Sequence, residues 1–438
     1  MSNARDLIRS NTGPQSGLIF DTNYDASFFT PKSWSSCTNY STDRSDLKPV
    51  TDVTNAFSSD VEFQPPKTVD YLGFPALCIP FSAITPGTGA SKTCLVDYAP
   101  VHAINNITVS HVTNVLSRVD GNVIMANYLL TSDRKRREIW DPFMLGNLSL
   151  RTRQVFAQFP QVGFVPLDGL FWFTYGTNSF TPIIVLSNEL RVKVTHNDVS
   201  YVVQSDHTSG TPVCTISPQT IKGVTYNPQL MYTICHVTGE ERTWQTSLYE
   251  NEGRLVPFKE FKQQPRQTVP ANTTGIIPVR LTSLRDQISE IFFVIRRVSD
   301  LTTPWRSDPN RRLTFVWASL TGNNGEMVRA TTLDWMDRRN REHFHSSTTA
   351  ENHKIGIMPP CWVPEDPVNN TGSWHLGQIN DPIVNIDVGS SAGFSECFDA
   401  LNGTGQNGAA AEAVAIDVFI KCFNWIHFTG GDANRVFN

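Results

Sequence analysis

Alternation of apolar and polar residues recurs in both halves of this chain, and few patterns restrict a fold more tightly. In Leu190-Arg191-Val192-Lys193-Val194-Thr195, residues Leu190, Val192 and Val194 share one face and Arg191, Lys193 and Thr195 the other. In Ile416-Asp417-Val418-Phe419-Ile420-Lys421-Cys422 only Phe419 breaks the pattern, and Thr429-Gly430-Gly431 follows near the C-terminus. A period of two sends successive side chains to opposite faces, so each segment reads as a strand with one buried face. Each also reads as the strand that closes a β-rich half of roughly 200 residues.

Composition agrees with two all-β halves. The 438 residues leave room for two or three cores, and 26 Phe, 10 Trp, 27 Gly and 27 Pro against only 18% charged residues fit sandwiches with long loops. The net charge of -5 argues against a nucleic-acid binder, which needs a basic face. The one basic run, Arg134-Lys135-Arg136-Arg137, is bracketed by Asp133 and Glu138 and reads as the solvated face of a short helix, 133–140, ending before Pro142. The eight cysteines form no CxxC pair, and Cys78, Cys235 and Cys422 lie in apolar runs, which favours free thiols in a reducing compartment. The first residues lack the apolar core of a signal peptide, and no stretch approaches the ~20 apolar residues of a membrane span. A soluble, cytosolic product is expected.

Along the chain, 1–25 reads as a polar arm, 26–205 as a first β domain, 206–216 as a linker and 217–438 as a second domain. Strands are expected at 69–74, 77–81, 107–112, 123–126, 183–186, 275–281, 291–295 and 313–317. The aromatic block Val165 to Phe173 precedes the closing strand of the first half. Residues 233–262, 340–372 and 388–410 are expected to form partner-facing loops.

Candidate chemistry is sparse. Pro86-Gly87-Thr88-Gly89-Ala90-Ser91-Lys92-Thr93 lacks the glycines of a phosphate loop and reads as a turn. His343 and His345, with Glu342 and His353 nearby, have no third ligand at a recognisable metal spacing. Ser205-Asp206-His207 has the residue types of a triad, but consecutive residues cannot form the relay. Glu240-Glu241 and Glu365-Asp366 read as solvated charges in loops. No catalytic, cofactor or metal residue is assigned. Of the Asn-X-Ser/Thr sites, Asn272, Asn369 and Asn402 sit in the most loop-like sequence, though glycosylation is not expected without a signal peptide.

Three segments carry a resemblance. The block Val165-Pro166-Leu167-Asp168-Gly169-Leu170-Phe171-Trp172-Phe173, leading to Asn188-Glu189 and the alternating strand, resembles a Pro-Leu-Pro-Phe-Trp-Phe segment of the double-jelly-roll major capsid proteins of large eukaryotic DNA viruses. Here Asp168-Gly169-Leu170 replaces the second Pro of that segment. Pro364-Glu365-Asp366 with Gly372-Ser373-Trp374-His375-Leu376-Gly377-Gln378-Ile379-Asn380 is similar to a second signature of that family, and Val436-Phe437-Asn438 to its C-terminus. The resemblance implies two consecutive antiparallel eight-stranded jelly-roll sandwiches with long loops and a few short helices. It implies a structural, non-enzymatic subunit without cofactor, made in the host cytoplasm and residing in the virion. It implies homotrimeric, pseudo-hexameric capsomers tiling an icosahedral shell, with minor capsid, penton and cement proteins as partners and an internal membrane nearby. Sequence-specific nucleic-acid binding is not implied. The competing reading is a glycan-binding or glycan-processing protein using Glu365 and Asp366 beside Trp362 and Trp374.

Overall fold

The computed structural model describes residues 40–174, 181–251, 253–271, 273, 275–282, 287–302, 310, 312–322, 325–345, 354–365, 371–375, 379, 381–388 and 413–437. The expected arm 1–25, Asn272, Asn369 and Asn402, and all of the 388–410 loop but Val388 lie outside the described residues.

The first half is built on β1 (Tyr40–Leu47), β2 (Asp60–Phe63), β3 (Tyr71–Phe81), β4 (Ile104–His111), β5 (Asn114–Asp120), β6 (Gln161–Pro166), β7 (Leu190–His196) and β8 (Gln229–Val237). One antiparallel sheet runs β1-β8-β3-β6 and the other β2-β7-β4-β5. The second half is built on β9 (Arg254–Gln263), β10 (Ile276–Arg280), β11 (Gln287–Arg297), β12 (Trp317–Gly322), β13 (Gly325–Thr332), β14 (Gly356–Met358), β15 (Ile383–Asp387) and β16 (Val414–Thr429). Its sheets run β9-β16-β11-β14 and β10-β15-β12-β13. In each half the first strand pairs with the last, the last with the third and the third with the sixth. The second pairs with the seventh, the seventh with the fourth and the fourth with the fifth. This is a jelly roll written twice.

The strand order corrects the expected boundary. Residues 206–216 do not separate the halves, because β8 comes after them and inserts between β1 and β3. Val213 and Ile216 themselves bridge to Thr85 and Phe81 of the first half. The true counterpart of β16 is therefore β8; Leu190–His196 is the seventh strand, matched by β15. β8 escaped notice because its five residues from Thr233 to Val237 are all half-buried, leaving little contrast between its faces. The halves meet instead at the helix Gly239–Asn251.

Four more expectations change. Residues 123–126 are not a strand but lie in α1 (Gly121–Thr131), where nearly every side chain is buried, so no amphipathic stripe betrays the helix. The basic run lies in α2 (Arg134–Phe143), which extends through Pro142 into its last turn; Asp133 caps it by accepting from the Arg136 amide at 2.7 Å. Its charges are not all solvated, since Arg137 is buried and donates to the Leu129 carbonyl. α3 (Leu150–Ala157) completes the link from β5 to β6. Residues 233–262, expected as a loop, hold the end of β8, α4 (Gly239–Asn251) and most of β9. In the second half the corresponding link from β13 to β14 carries Trp335–Asn340 and Arg341–His345. Residues 183–186 form a 3-10 turn, Ile183–Val185, instead of a strand.

Two apolar clusters organise the interior. One lies inside the second sandwich and collects alternate residues of β16, namely Val414, Ile416, Val418, Ile420 and Cys422, with Ile291, Phe293 and Ile295 of β11. The other fills the first sandwich and continues onto the outer face of the β9-β16-β11-β14 sheet, through Phe258, Phe261, Phe292, Val294, Ile357 and Phe419. This sheet is thus buried on both faces, which is why Phe419 interrupts the alternation. It stacks on Phe292 with ring centroids 5.2 Å apart. Truncating it, Phe419→Ala, should cost about 3–5 kcal/mol. Chemical denaturation should then resolve two transitions where the parent chain has one, because the lost ring couples the halves.

Candidate functional site

The surface between the two sandwiches concentrates the buried aromatic and charged side chains. Its first-half contribution begins where β6 ends. Leu167 donates its amide to the Pro75 carbonyl, Gly169 takes a left-handed φ of 71°, and the chain drops into the 3-10 turn Trp172–Thr174. The residues that depart from the resembled motif hold this turn in place: Asp168 binds Arg136 of the basic run at 3.0 Å, and Gly169 supplies a backbone geometry costly for other residues. Trp172 is fully buried and meets Phe258 of β9 edge-on at 6.1 Å. Such aromatic pairs contribute about 0.5–1.5 kcal/mol each beyond their buried area.

Both ends of this seam are closed by polar contacts. At one end Arg296 of β11 donates to the Asn122 side chain of α1 at 3.2 Å, and Asn310 bonds His102 and the Asp97 carbonyl. At the other, β16 turns back through Gly430 and Gly431, both at positive φ, into Asp432–Arg435. A two-residue hairpin of this kind favours glycine at both positions. The Gly431 carbonyl accepts from the Ser187 amide at 2.7 Å, and Asn434 accepts from Asn114 at 2.9 Å. Asn424 holds the last residues by bonding the Phe437 amide and carbonyl. α4 is tied to the first half by Arg242, which grips the buried Asp70, and packs Tyr249 against Phe428.

Charges are buried within the seam. Asp417 and Lys421, on what reads in sequence as the polar face of β16, are both buried. Asp417 accepts from Arg296 at 2.5 Å and from Arg266 at 2.6 Å. Burial alone would raise its pKa, but the two guanidinium groups outweigh that and hold it below the ordinary carboxylate value. Lys259 places its ammonium 3.0 Å from the Phe423 ring centroid. Sequence reading missed this set; the available signal was a pair of charges inside the most apolar strand of the chain.

His345 is the second buried node. It ends the helical link between β13 and β14 and lies between Glu290 of β11 at 2.5 Å and Glu365 at 2.8 Å. Burial opposes its charge, but the two carboxylates prevail and raise its pKa to about 9. Burial of Glu290 is likewise outweighed, by His345 and then by Lys421 and Lys259, so its pKa is lowered. His345 and His343 do not form a metal centre: His343 packs against Phe344 and Trp362. No cluster of three potential metal ligands occurs among the described residues.

The remaining sequence candidates separate. In the 86–93 turn, Asp206 accepts from Ser91 and from the Lys92 amide. Burial raises the Asp206 pKa, but these hydrogen bonds overcome it and leave it lowered. Ser205 meets Thr93, so Ser205-Asp206-His207 makes no relay. Glu240 is exposed at the start of α4 and not in a loop. Glu365 is engaged by the buried His345 at 2.8 Å. Trp374 packs against the second core while Trp362 is 63% exposed, so the two do not share one environment; Asp366 lies outside the described residues. The described cysteines are free, and burial lifts the Cys78 thiol to about 12. Among the described residues no helix is long and apolar enough to cross a membrane.

No protein-family model matches the chain, and no curated protein matches it. Solved structures do. The PBCV-1 virus capsid protein aligns with a TM-score of 0.67 at 12% identity, over 94% of this chain and 100% of that one. The Faustovirus major capsid protein aligns at 0.66 and 10% identity over 92% of both chains, and the mavirus major capsid protein at 0.51 and 11% over 97% of this chain and 94% of that one. At these identities the likeness establishes the fold: the chain has the double jelly roll of these capsid proteins.

Two predictions test the charged nodes. Asp417→Asn leaves Arg296 buried without its counter-ion and should cost about 3–5 kcal/mol in denaturant titrations. The His345 pKa is raised on folding from 6.5 to about 9, so its contribution is complete below pH 6.5 and lost as the pH rises through 9. The Glu290 pKa is lowered from 4.5, so its contribution fades as the pH falls below that value. The stability advantage over His345→Gln should therefore shrink between pH of about 6 and about 9.5, measured as urea midpoints.

Proposed function

We propose that this chain is the structural subunit of an icosahedral virus shell, associating as a trimer into pseudo-hexameric capsomers. The observation that carries the reading is the doubled jelly roll fastened into one body. Two sandwiches with identical strand order share a continuous apolar cluster. Three such chains would present six similar sandwiches around an axis, a near-sixfold tile from a threefold assembly. A shell subunit must keep its two halves in fixed relation, and the aromatic seam with polar contacts at both ends supports that requirement. The likeness to PBCV-1, Faustovirus and mavirus capsid proteins supports the same role.

In this reading the principal partner is a second and third copy of the chain, followed by neighbouring capsomers. Minor capsid, penton and cement proteins would fill the gaps that trimers leave, and an internal membrane would lie beneath the shell. The subunit would be made in the host cytoplasm and end in the virion. No catalytic step is part of the proposal, and the ion pair between Glu365 and His345 supports a structural use of that carboxylate.

Light scattering on the purified chain tests the assembly. Three chains of 48.9 kDa should give a stable particle of about 147 kDa. A monomer at every workable concentration would contradict the capsomer.

A further inference from the structure

The seam inside the chain joins particular parts of the two sandwiches. The second sandwich contributes the outer face of its β9-β16-β11-β14 sheet, where Phe261, Phe292, Val294 and Phe419 are buried. The first contributes α1, the helix that follows its fifth strand, through Asn122, and Trp172, which follows its sixth strand. The two sandwiches repeat one strand order, so each of these parts has a counterpart in the other half. In the second sandwich the helical link after the fifth strand carries Trp335, and Trp362 follows the sixth. Where α1 and Trp172 are buried, Trp335 and Trp362 are 56% and 63% exposed. Single exposed rings are ordinary, but Trp362 packs with His343 and Phe344 into one aromatic surface, with centroids 5.1 and 6.1 Å away.

The first sandwich holds the counterpart of the shared sheet, β1-β8-β3-β6. Cross-strand pairing fixes its outer face. Leu230 of β8 opposes Leu77 of β3 and both point into the core, so Met231 and its partner Ala76 point outward. Thr233 and Cys235 continue the outer row of β8, and Val162 and Phe164 of β6 lie on the same face. These six side chains are uncharged and half-buried, whereas Phe419 and Phe292, on the corresponding strands of the second half, are fully buried. A neutral row of this kind accepts an indole without stranding a charge, the setting in which tryptophan anchors an interface. Both surfaces border the seam. Arg341–His345 packs near α1, while the Val237 amide at the end of β8 and Arg242 of α4 both bond Asp70 beside β3.

We propose that the outer face of β1-β8-β3-β6 receives Trp335 and Trp362 of a second copy of this chain, so that the seam within one chain recurs between chains. The proposal rests on the capsomer reading and names the surfaces that make the capsomer. The contact is head-to-tail, the first sandwich of one copy against the second sandwich of the next, and such contacts close into a ring when the step divides a full turn. Three chains then supply six sandwiches and three such contacts, and neither surface is left uncovered.

Light scattering over a dilution series tests the assignment on the full chain and four variants, each checked for native circular dichroism. Trp335→Glu and Trp362→Glu alter exposed side chains, so the monomer keeps its fold. Each should raise the concentration of half-dissociation about thirtyfold or more. Thr233→Arg, which places a charge in the receiving row, should do the same. Ile276→Glu changes an equally exposed residue on β10, an edge strand of the other sheet of the second sandwich, and should leave the trimer intact. A trimeric parent whose tryptophan variants stay trimeric overturns this interface and leaves the capsomer standing, whereas a monomeric parent overturns both. Dissociation by Thr233→Arg alone would place something other than these tryptophans on the sheet and overturn the pairing. Equal dissociation by Ile276→Glu would show that the loss is not specific to these surfaces and would overturn it too.

Discussion

The two halves are arranged around one sheet that is buried on both faces along most of its length. β9, β16, β11 and β14 pack one side into their own sandwich and the other against the first half, so their side chains divide between two apolar clusters. A sheet buried on both faces gains apolar burial twice along the same backbone. It also loses the freedom to place charges on an outer face. The Phe419 and Phe292 stack, the Trp172 and Phe258 contact and the pairing of Asp417 with two arginines all follow from that double burial.

The charged residues have a different task from the rings. Desolvating an ion pair costs about as much as the pairing returns, so Arg296 with Asp417 and His345 with Glu290 add little net stability over apolar residues of the same size. What they impose is a penalty on misplacement. Sliding one sandwich along the other would part Arg296 from Asn122 of α1, while the rings alone would tolerate some slippage. The Asn122, Asn310, Ser187 and Asn114 contacts at the two ends act in the same sense. Apolar area supplies the adhesion, and hydrogen-bonded charge supplies the register. For a unit whose proposed duty is to hold shape within a shell, register matters as much as adhesion.

The sequence disclosed the class of fold more readily than the seam. Alternation in 190–195 and 416–422 pointed to strands, and the two halves do repeat one strand order. It placed the boundary too early because β8 is half-buried on both faces from Thr233 to Val237 and shows little alternation there. It misread 123–126 because Val123 and Ile124 are β-branched, whereas complete burial of α1 decides for helix. The aromatic block was visible, but only the structure assigns Trp172 to the contact between sandwiches. Asp417 and Lys421 sat in plain view as the polar half of an alternating strand. A period of two tells which residues share a face; it cannot tell whether that face meets water or another domain.

Double burial of the shared sheet requires the two jelly rolls to open as a single unit. Hydrogen exchange followed by mass spectrometry on the intact chain measures this directly. The interior amides of β3, β11 and β16 should exchange through one common, slowest opening, because exposing either face of the shared sheet breaks both cores. If β16 and β11 exchange through a lower-energy opening while β3 stays protected, the halves are separate domains that merely touch, and the shared sheet does not couple them.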